Sequence, residues 1–287
     1  MCVACCSGKR RVLRSPWWSI WRRDMAVTTG NPATENGPQA SGNLTLDDPW
    51  RWMSAGWRDM WAMPGISLFY GVLFAGVSLL LALSLFLVEP SSIVLPLAAG
   101  FMLVGPLFAV GLYEASRRLE SGEALNLKDV LLVKTASPAQ LAFLGALLML
   151  ALLAWMRIAS LLFALFFGLE GFPPLPDFLP TLVFSPYGLG LLVVGTGVGA
   201  LIAFAVFAVS ALSVPMLMHR DVDAISAVLA SVRVVRENPG PMLLWAWIIA
   251  VVMAVGMATF FVGMVLAFPL VGHATWHAYR ATISDAD

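Results

Sequence analysis

Charged residues are scarce in this chain, and their scarcity excludes an ordinary soluble domain. Asp, Glu, Lys and Arg together make up 12% of the 287 residues, whereas soluble globular proteins carry about 25%. The charges also balance to zero, so the composition offers neither a basic surface for nucleic acid nor a basis for binding an acidic substrate. We therefore expect the main partner of the chain to be the lipid bilayer, and we expect no nucleic-acid partner.

Cysteine is equally rare and is confined to one end of the chain. The sequence contains only Cys2, Cys5 and Cys6. Because no partner cysteine lies elsewhere, a disulfide framework and a four-ligand zinc site are both excluded within one chain. We expect residues 1–46 to be disordered or an extension, because Met25 is an alternative start and the small, polar residues that follow it favour disorder.

Apolar residues, by contrast, fill long uninterrupted blocks. Hydrophobic residues reach 60% of the chain, and the mean hydropathy is +0.84. Blocks of about 20 residues almost free of charge match the length that a helix needs to cross a hydrocarbon core about 30 Å thick. The predicted fold class is therefore all-α, a polytopic transmembrane helical bundle.

Five blocks are long enough to hold membrane spans, and the last is too long for one. They cover residues 64–88, 93–113, 139–168, 188–218 and 242–272. As a single helix the last block would be about 46 Å long, which exceeds an upright span. It forms either one tilted or kinked helix, giving five spans, or a hairpin that turns near residues 256–263, giving six.

The distribution of lysine and arginine favours six spans. Two links between the blocks contain neither residue, and the two links that alternate with them are basic. The basic links contain Arg117, Arg118, Lys128, Lys134, Arg220, Arg233 and Arg236. Basic links mark the cytoplasmic side, and Arg280 lies on that side only if the number of spans is even. We therefore expect a multi-pass protein of the bacterial inner membrane with both termini in the cytoplasm, and five spans remain the alternative.

An internal repeat supports the same arrangement. Pro64, Pro138 and Pro239 each follow an amphipathic stretch and precede an apolar block. This pattern predicts three helical hairpins, each preceded by an amphipathic helix that lies on the cytoplasmic membrane surface. The apolar stripe predicted before the first proline consists of Trp50, Met53, Trp57, Met60 and Trp61. The hairpins would form one domain over residues 47–281, followed by a tail at 282–287.

Polar residues recur at fixed distances beyond the second proline of each hairpin. Counting four or eight residues on from Pro106, Pro215 and Pro269 gives Glu114, His219, Asp223, His273 and His277. If the hairpins pack around a pseudo-threefold axis, these five residues converge on the cytoplasmic side as a metal or proton-relay site. The alternative is an ordinary aromatic and basic interface belt, with His273 and His277 on its wet side.

Other candidate sites are sparse. Arg157 is the only charged residue inside a predicted span; it either snorkels to the outer headgroups or is a buried charge in a substrate path, paired with Glu89 or Glu170. Gly195 and Gly199 form a small-residue face that permits helix packing or self-association. Because no Ser–His–Asp or Cys–His arrangement is visible at membrane-compatible positions, we expect no catalytic activity.

Four segments resemble a prokaryotic family of integral membrane proteins, domain-of-unknown-function family 2189. They read "PWRWMSAGWRDMWAMPGISLFYG", "LPLAAGFMLVGPLFAVGLYEASRRLE", "RENPGPMLLW" and "PLVGHATWHAYR", and the resemblance extends over residues 49–280. It implies no activity and no catalytic residue. Members are sometimes named automatically as cytochrome c oxidase subunit I. An oxidase core needs six histidine ligands for two haems and a copper, but this chain has three histidines, so we expect no such cofactor.

The function expected from the sequence is non-enzymatic. It is either a conduit for small molecules or ions or a membrane scaffold. The alternative function is an accessory or assembly protein of the respiratory membrane that binds a metal or haem.

Overall fold

The computed structural model describes residues 39–40, 44–87, 101–168 and 175–284. They all belong to one compact unit that covers residues 38–287. Most of the predicted extension at 1–46, the end of the tail and the first part of the predicted span at 93–113 lie outside the described residues. The predictions for those segments therefore stay predictions.

Helices account for nearly all of the described residues, so the all-α class is confirmed. In chain order they are α1 (Asp48–Ala62), α2 (Pro64–Leu87), α3 (Gly105–Phe108), α4 (Val110–Ser121), α5 (Leu127–Leu131), α6 (Pro138–Phe167), α7 (Leu175–Phe184), α8 (Pro186–Ser210), α9 (Ser213–His219), α10 (Ala224–Glu237), α11 (Pro239–Ala258) and α12 (Met264–Thr282). A 3₁₀ turn, Phe101–Val104, precedes α3. The two-residue strands β1 (Gln39–Ala40) and β2 (Ile283–Ser284) pair antiparallel.

Three long helices begin at the prolines that the repeat singled out. Helices α2, α6 and α11 start at Pro64, Pro138 and Pro239. A proline is favourable at the first helical position because its fixed φ suits the helix and its missing N–H would have no partner there. It also steers the residue before it away from helical geometry. Each proline therefore ends the preceding surface stretch and starts a long apolar helix.

The amphipathic stretches before these prolines differ from the prediction in two respects. Before Pro138 the structure has only the five-residue helix α5 and not a full amphipathic helix. In α1 the predicted apolar stripe is split, because Met60 is buried in the protein together with Trp52 and Gly56. The three other tryptophans of α1 remain exposed. Two apolar faces with the same helical period look like one broad stripe in the sequence.

The last apolar block does not form one continuous helix. Helix α11 ends at Ala258, and Phe260 and Phe261 have φ values of 53° and 66°, which a regular right-handed helix cannot accommodate. The break lies within the stretch where a turn was expected. After it, α12 packs against α11: a Cβ added to Gly256 would lie only 2.8 Å from the Sδ of Met264.

Helix α12 lies at the centre of the packed part of the molecule. A Cβ added to Gly71 of α2 would collide with the carbonyl group of Val265 in α12. A Cβ on Gly56 of α1 would lie 2.6 Å from the backbone nitrogen of Ala274. These glycines therefore let α1 and α2 approach α12 to backbone contact. Most residues of α12 are buried as a result.

Four helical segments are long and apolar enough to cross a membrane among the residues that the structure describes. They are Pro64–Leu83, Pro138–Phe167, Pro186–His219 and Pro239–Ala258. The predicted second span begins outside the described ranges, and α12, the predicted sixth, does not meet the same length and hydropathy requirement. Several apolar helices are thus established, whereas six spans stay a prediction.

Candidate functional site

A chain of five polar side chains runs through the packed part of the molecule. The Ser67 hydroxyl lies 2.9 Å from Nε2 of His273, whose Nδ1 lies 2.8 Å from the hydroxyl of Ser116. Ser116 lies 2.7 Å from Oδ2 of Asp59, which is also 2.8 Å from Nε2 of His277. We call these five residues the polar chain. It joins helices α1, α2, α4 and α12.

The direction of each hydrogen bond in the polar chain follows from its two ends. The carboxylate of Asp59 only accepts, so the single hydroxyl proton of Ser116 is donated to it. Nδ1 of His273 must then donate to Ser116. Burial lowers the pKa of His273 to about 4, so its ring is neutral near pH 7 and its Nε2 accepts the proton of Ser67. From Ser67 to Asp59 every donor therefore points the same way.

Small residues on α12 explain why His273 is buried. The side chain is 0% exposed, so the prediction that it lies on the wet side of an interface belt is wrong. Gly272 precedes it, and a Cβ there would lie 2.6 Å from Cδ1 of Leu112. Ala274 follows it and packs against Gly56. Helices α4 and α1 therefore close over the ring from both sides.

Asp59 is the charged end of the polar chain. Burial alone would raise the pKa of its carboxyl group, but hydrogen bonds from His277 and Ser116 lower it further than burial raises it. The pKa consequently lies below its usual range, and the group is ionised near pH 7. The side chains of Asp59 and His277 are 14% and 25% exposed, so this end of the chain meets the solvent.

Glu114, another predicted site residue, is held in a separate ion-pair cluster. Its carboxylate accepts from Nε of Arg117 at 2.8 Å and from Nε of Arg118 at 2.6 Å. Burial opposes ionisation, but the hydrogen bonds from the two guanidinium groups outweigh it and lower the pKa of Glu114. Arg117 also pairs with Glu123, and Arg118 with Asp129. The cluster fixes the C-terminal half of α4 to the segment that follows it.

His219 and Asp223 make contacts outside the polar chain. Nδ1 of His219 lies 3.1 Å from the hydroxyl of Tyr279, and its ring meets Trp276 edge to face. Asp223 caps α10, because its carboxylate accepts from the backbone N–H of Ser226 at 2.8 Å. Among the described residues, no group of three or more histidine, cysteine, aspartate or glutamate side chains is arranged to hold a metal ion. The five predicted residues thus divide between separate contacts, and only His273 and His277 enter the polar chain.

Two predicted features of the long apolar helices are also visible. Arg157 lies in the middle of the unbroken helix α6, and its side chain is exposed on the surface of the chain. A Cβ added to Gly199 of α8 would lie 3.1 Å from Cη2 of Trp155 in α6. Gly199 therefore faces a neighbouring helix of the same chain. Whether Gly195 takes part in self-association stays a prediction.

Helices α1, α4 and α12 and the beginning of α2 pack around the polar chain, and we call them the base. The long apolar helices present large side chains outward. Together these features define an integral membrane protein. Residues 94–219 match the family model described as predicted integral membrane protein, DUF2189. The matched part is somewhat less than half of the chain. The resemblance is confirmed over those residues, which include Ser116 but not the rest of the polar chain. No curated protein and no solved structure matches the chain.

Sequence reasoning missed three members of the polar chain. Ser67, Ser116 and Asp59 come from three different helices, and the residues in contact are separated by up to 218 positions. A local indication exists in the sequence only for Ser67 and Asp59, because each is a polar residue among apolar residues near Pro64. Nothing in the spacing indicated that they meet His273.

Proposed function

We propose that the protein is a non-enzymatic ion conduit whose transported ion is the proton. The observation that carries this proposal is the polar chain. Its five side chains are linked by contacts of 2.7–2.9 Å, from the partly exposed His277 to Ser67 in the first turn of a candidate membrane span. Proton relays in membrane proteins consist of unbroken hydrogen-bonded chains of hydroxyl, imidazole and carboxylate groups.

The same residues invite comparison with a hydrolase, because Ser67 donates to a histidine that is linked to an aspartate. In a catalytic triad the aspartate contacts the histidine directly and the serine faces a substrate. Here Ser116 lies between His273 and Asp59, and Ser67 is 0% exposed. A proton can move along such a chain, whereas a carbonyl substrate has no access to the serine. The arrangement therefore favours proton transfer over acyl transfer.

An aromatic pair marks the place where the proposed path is closed. The rings of Phe74 and Phe268 stack with their centroids 3.8 Å apart and an angle of 4° between their planes. Phe74 lies two helical turns beyond Ser67 on α2. About one further turn along the same helix, the hydroxyl of Ser78 is buried, and it has no hydrogen-bond partner in the described part of the chain. We propose that separating the two rings connects Ser78 with the polar chain.

Proton flux into vesicles tests this proposal. The full chain is reconstituted into vesicles that contain a pH-sensitive dye, and a potassium diffusion potential drives protons inward. We expect flux above that of empty vesicles, higher flux for Phe74→Ala, and at least a tenfold loss for Ser116→Ala, which interrupts the polar chain. Ser54→Ala is the matched control, because the Ser54 hydroxyl donates to the backbone carbonyl of Arg51 in the same helix.

Flux no higher than in empty vesicles, for both the native chain and Phe74→Ala, would contradict the conduit and leave the membrane scaffold as the function. Equal flux in the native chain and Ser116→Ala would show that protons do not use the polar chain. Melting curves in detergent establish that each variant remains folded, so a loss of flux is not a loss of structure.

We further propose six spans with both termini in the cytoplasm of the bacterial cell. The alternating distribution of Lys and Arg supports this topology, and so does the break between α11 and α12. Reporter fusions after Asp287 and within residues 171–186 test it. We expect a cytoplasmic signal from the first fusion and a periplasmic signal from the second. A periplasmic signal after Asp287 would replace six spans by an odd number.

A further inference from the structure

The three stretches that precede α2, α6 and α11 end in the same way. The residues before the prolines are Met63, Ser137 and Asn238, with (φ, ψ) values of (−133°, 56°), (−126°, 71°) and (−126°, 59°). All three residues are buried. The chain therefore turns from a surface stretch into a candidate membrane span three times with nearly the same backbone geometry.

Side-chain hydrogen bonds fix two of these turns. Ser137 donates to the backbone carbonyl of Arg220 at 3.2 Å, and its hydroxyl accepts from the backbone N–H of Val222. Asn238 accepts from the backbone N–H of Leu44 at 2.9 Å. Because these two turns are anchored, the surface stretches before Pro138 and Pro239 are held beside the beginnings of the spans that follow them.

Each of the three stretches presents large apolar side chains outward, although each also buries a face in the protein. We call residues 48–62, 127–134 and 224–237 the collar. The outward side chains, with exposed fractions between 41% and 78%, are Trp50, Trp57, Trp61, Leu127, Leu131, Leu132, Ile225 and Leu229. Other residues form the faces turned inward, among them Trp52, Gly56 and Met60 in the first stretch, Val130 in the second and Ala227 in the third. In water, the outward face of such a stretch would be polar, so the large apolar side chains on it indicate an apolar partner.

Helix α1 separates its surroundings into three sectors. At about 100° per residue, Trp52, Gly56 and Met60 form the sector buried in the protein. The exposed tryptophans form the next sector, and Arg51 and Arg58 form the third. Tryptophan beside arginine on a helix that leads directly into a span is typical of the boundary between lipid headgroups and acyl chains.

We propose that the collar is one lipid-binding surface that inserts its outward apolar side chains into the headgroup–acyl boundary of a phospholipid bilayer. The continuity of each stretch with a candidate span decides in favour of lipid, because a side chain held beside the first turn of a span lies at bilayer depth. Exposed cations of the collar such as Lys134 lie beside the apolar side chains. They contact the phosphate groups of the same lipids.

Spin labels at matched positions test the collar in the full chain. Cys2, Cys5 and Cys6 are first replaced by serine, and single cysteines are then introduced for labelling. The lipid-facing set is Trp57→Cys, Leu131→Cys and Ile225→Cys, and the water-facing set on the same three stretches is Arg51→Cys, Lys128→Cys and Glu237→Cys. The protein is reconstituted in phosphatidylcholine and phosphatidylglycerol vesicles, and relaxation by oxygen is compared with relaxation by a water-soluble nickel chelate.

We expect oxygen to relax the three lipid-facing labels at least threefold more strongly than the nickel chelate does, and the reverse for the water-facing labels. Strong relaxation by nickel at positions 57, 131 and 225 would overturn the proposal. The same holds if any one of the three stretches behaves like its water-facing control, because the collar then is not one surface. Weak relaxation by both reagents with spin–spin broadening would overturn it in favour of a second copy of the chain.

Discussion

Helices α12 and α8 both overlap a predicted apolar block, and they have opposite surroundings. Twelve of the 19 residues of α12 are buried, including His273, Trp276 and Tyr279. In α8, which has 25 residues, only Gly188, Val206 and Ser210 are buried. The chain itself provides the environment of α12, whereas α8 presents most of its leucine and valine side chains outward.

This contrast shows where the specific interactions of the molecule are concentrated. Polar groups need partners when they are removed from water, and the base around α12 supplies them through the polar chain and the ion pairs of α4. In the described part of the chain, the outward faces of the long apolar helices carry no comparable network, because lipid tails are as apolar as the side chains that meet them. We therefore expect function and sensitivity to mutation in the base, and tolerance on the outward faces of the spans.

Replacing Trp245 should produce the largest difference between the two environments. Its side chain is 0% exposed and meets Trp52 edge to face at 5.7 Å between ring centroids. We expect Trp245→Ala to lower the free energy of unfolding by about 3–5 kcal/mol, as for other large-to-small substitutions at buried sites. Two residues further on, Trp247 is 66% exposed, and we expect Trp247→Ala to cost less than about 1 kcal/mol. Unfolding in detergent measures both, and equal losses would contradict the contrast.

A pair of glycines in α2 tests the same contrast at the level of the backbone. A Cβ on Gly71 would collide with the backbone of Val265, whereas a Cβ on Gly76 would meet nothing within 4 Å. Gly71→Ala should therefore cost about 1–3 kcal/mol of unfolding free energy through overpacking. Gly76→Ala should be neutral or slightly stabilising, because alanine favours a helix. A Gly71→Ala protein as stable as the native chain would show that α2 and α12 are not in close contact.

Acid should lower the stability of the helices packed around α12, because His273 is buried among them. Burial lowers its pKa from 6.5 to about 4, so between these values the unfolded chain binds a proton that the folded chain does not. Stability consequently falls as the pH decreases from about 6.5 to 4, by about 1 kcal/mol per pH unit. We expect a flatter profile for His273→Gln than for the native chain.

The depressed pKa of Asp59 does not interfere with that test. Its contribution to stability is lost only as the pH falls below its ordinary value of 3.8, which lies below the window in which His273 acts. Unfolding free energies in detergent at several pH values provide the measurement. Parallel profiles for the native chain and His273→Gln would contradict a buried neutral imidazole.

Local features of the fold could be predicted from the sequence. The starts of α2, α6 and α11 follow from single prolines, because the restriction on φ acts within one or two residues. The apolar blocks likewise identified the long helices, because their length must match the bilayer. Such signals require no knowledge of which helices are neighbours.

The site could not be predicted in the same way, because it depends on which helices pack together. The sequence of α1 offers two apolar faces, and only contact with α12 decides that Met60 is buried while Trp57 remains exposed. The sequence predicted His273 at a solvent-exposed helix end. It is buried because Gly56 and Gly272 allow two helices to pack closely over it. The serines of the polar chain carry no distinctive spacing, so their role becomes visible only with the packing.

The state of the His273 ring tests the central claim most directly. With ¹⁵N-labelled histidine in the reconstituted full chain, the signal of His273 is assigned by its loss in His273→Gln. The polar chain predicts a neutral ring with the proton on Nδ1 at pH 7, unchanged down to about pH 5, because Nδ1 donates to Ser116 and Nε2 accepts from Ser67. A proton on Nε2 instead, or a ring that becomes charged between pH 7 and 6, would contradict the directed chain and the proton path built on it.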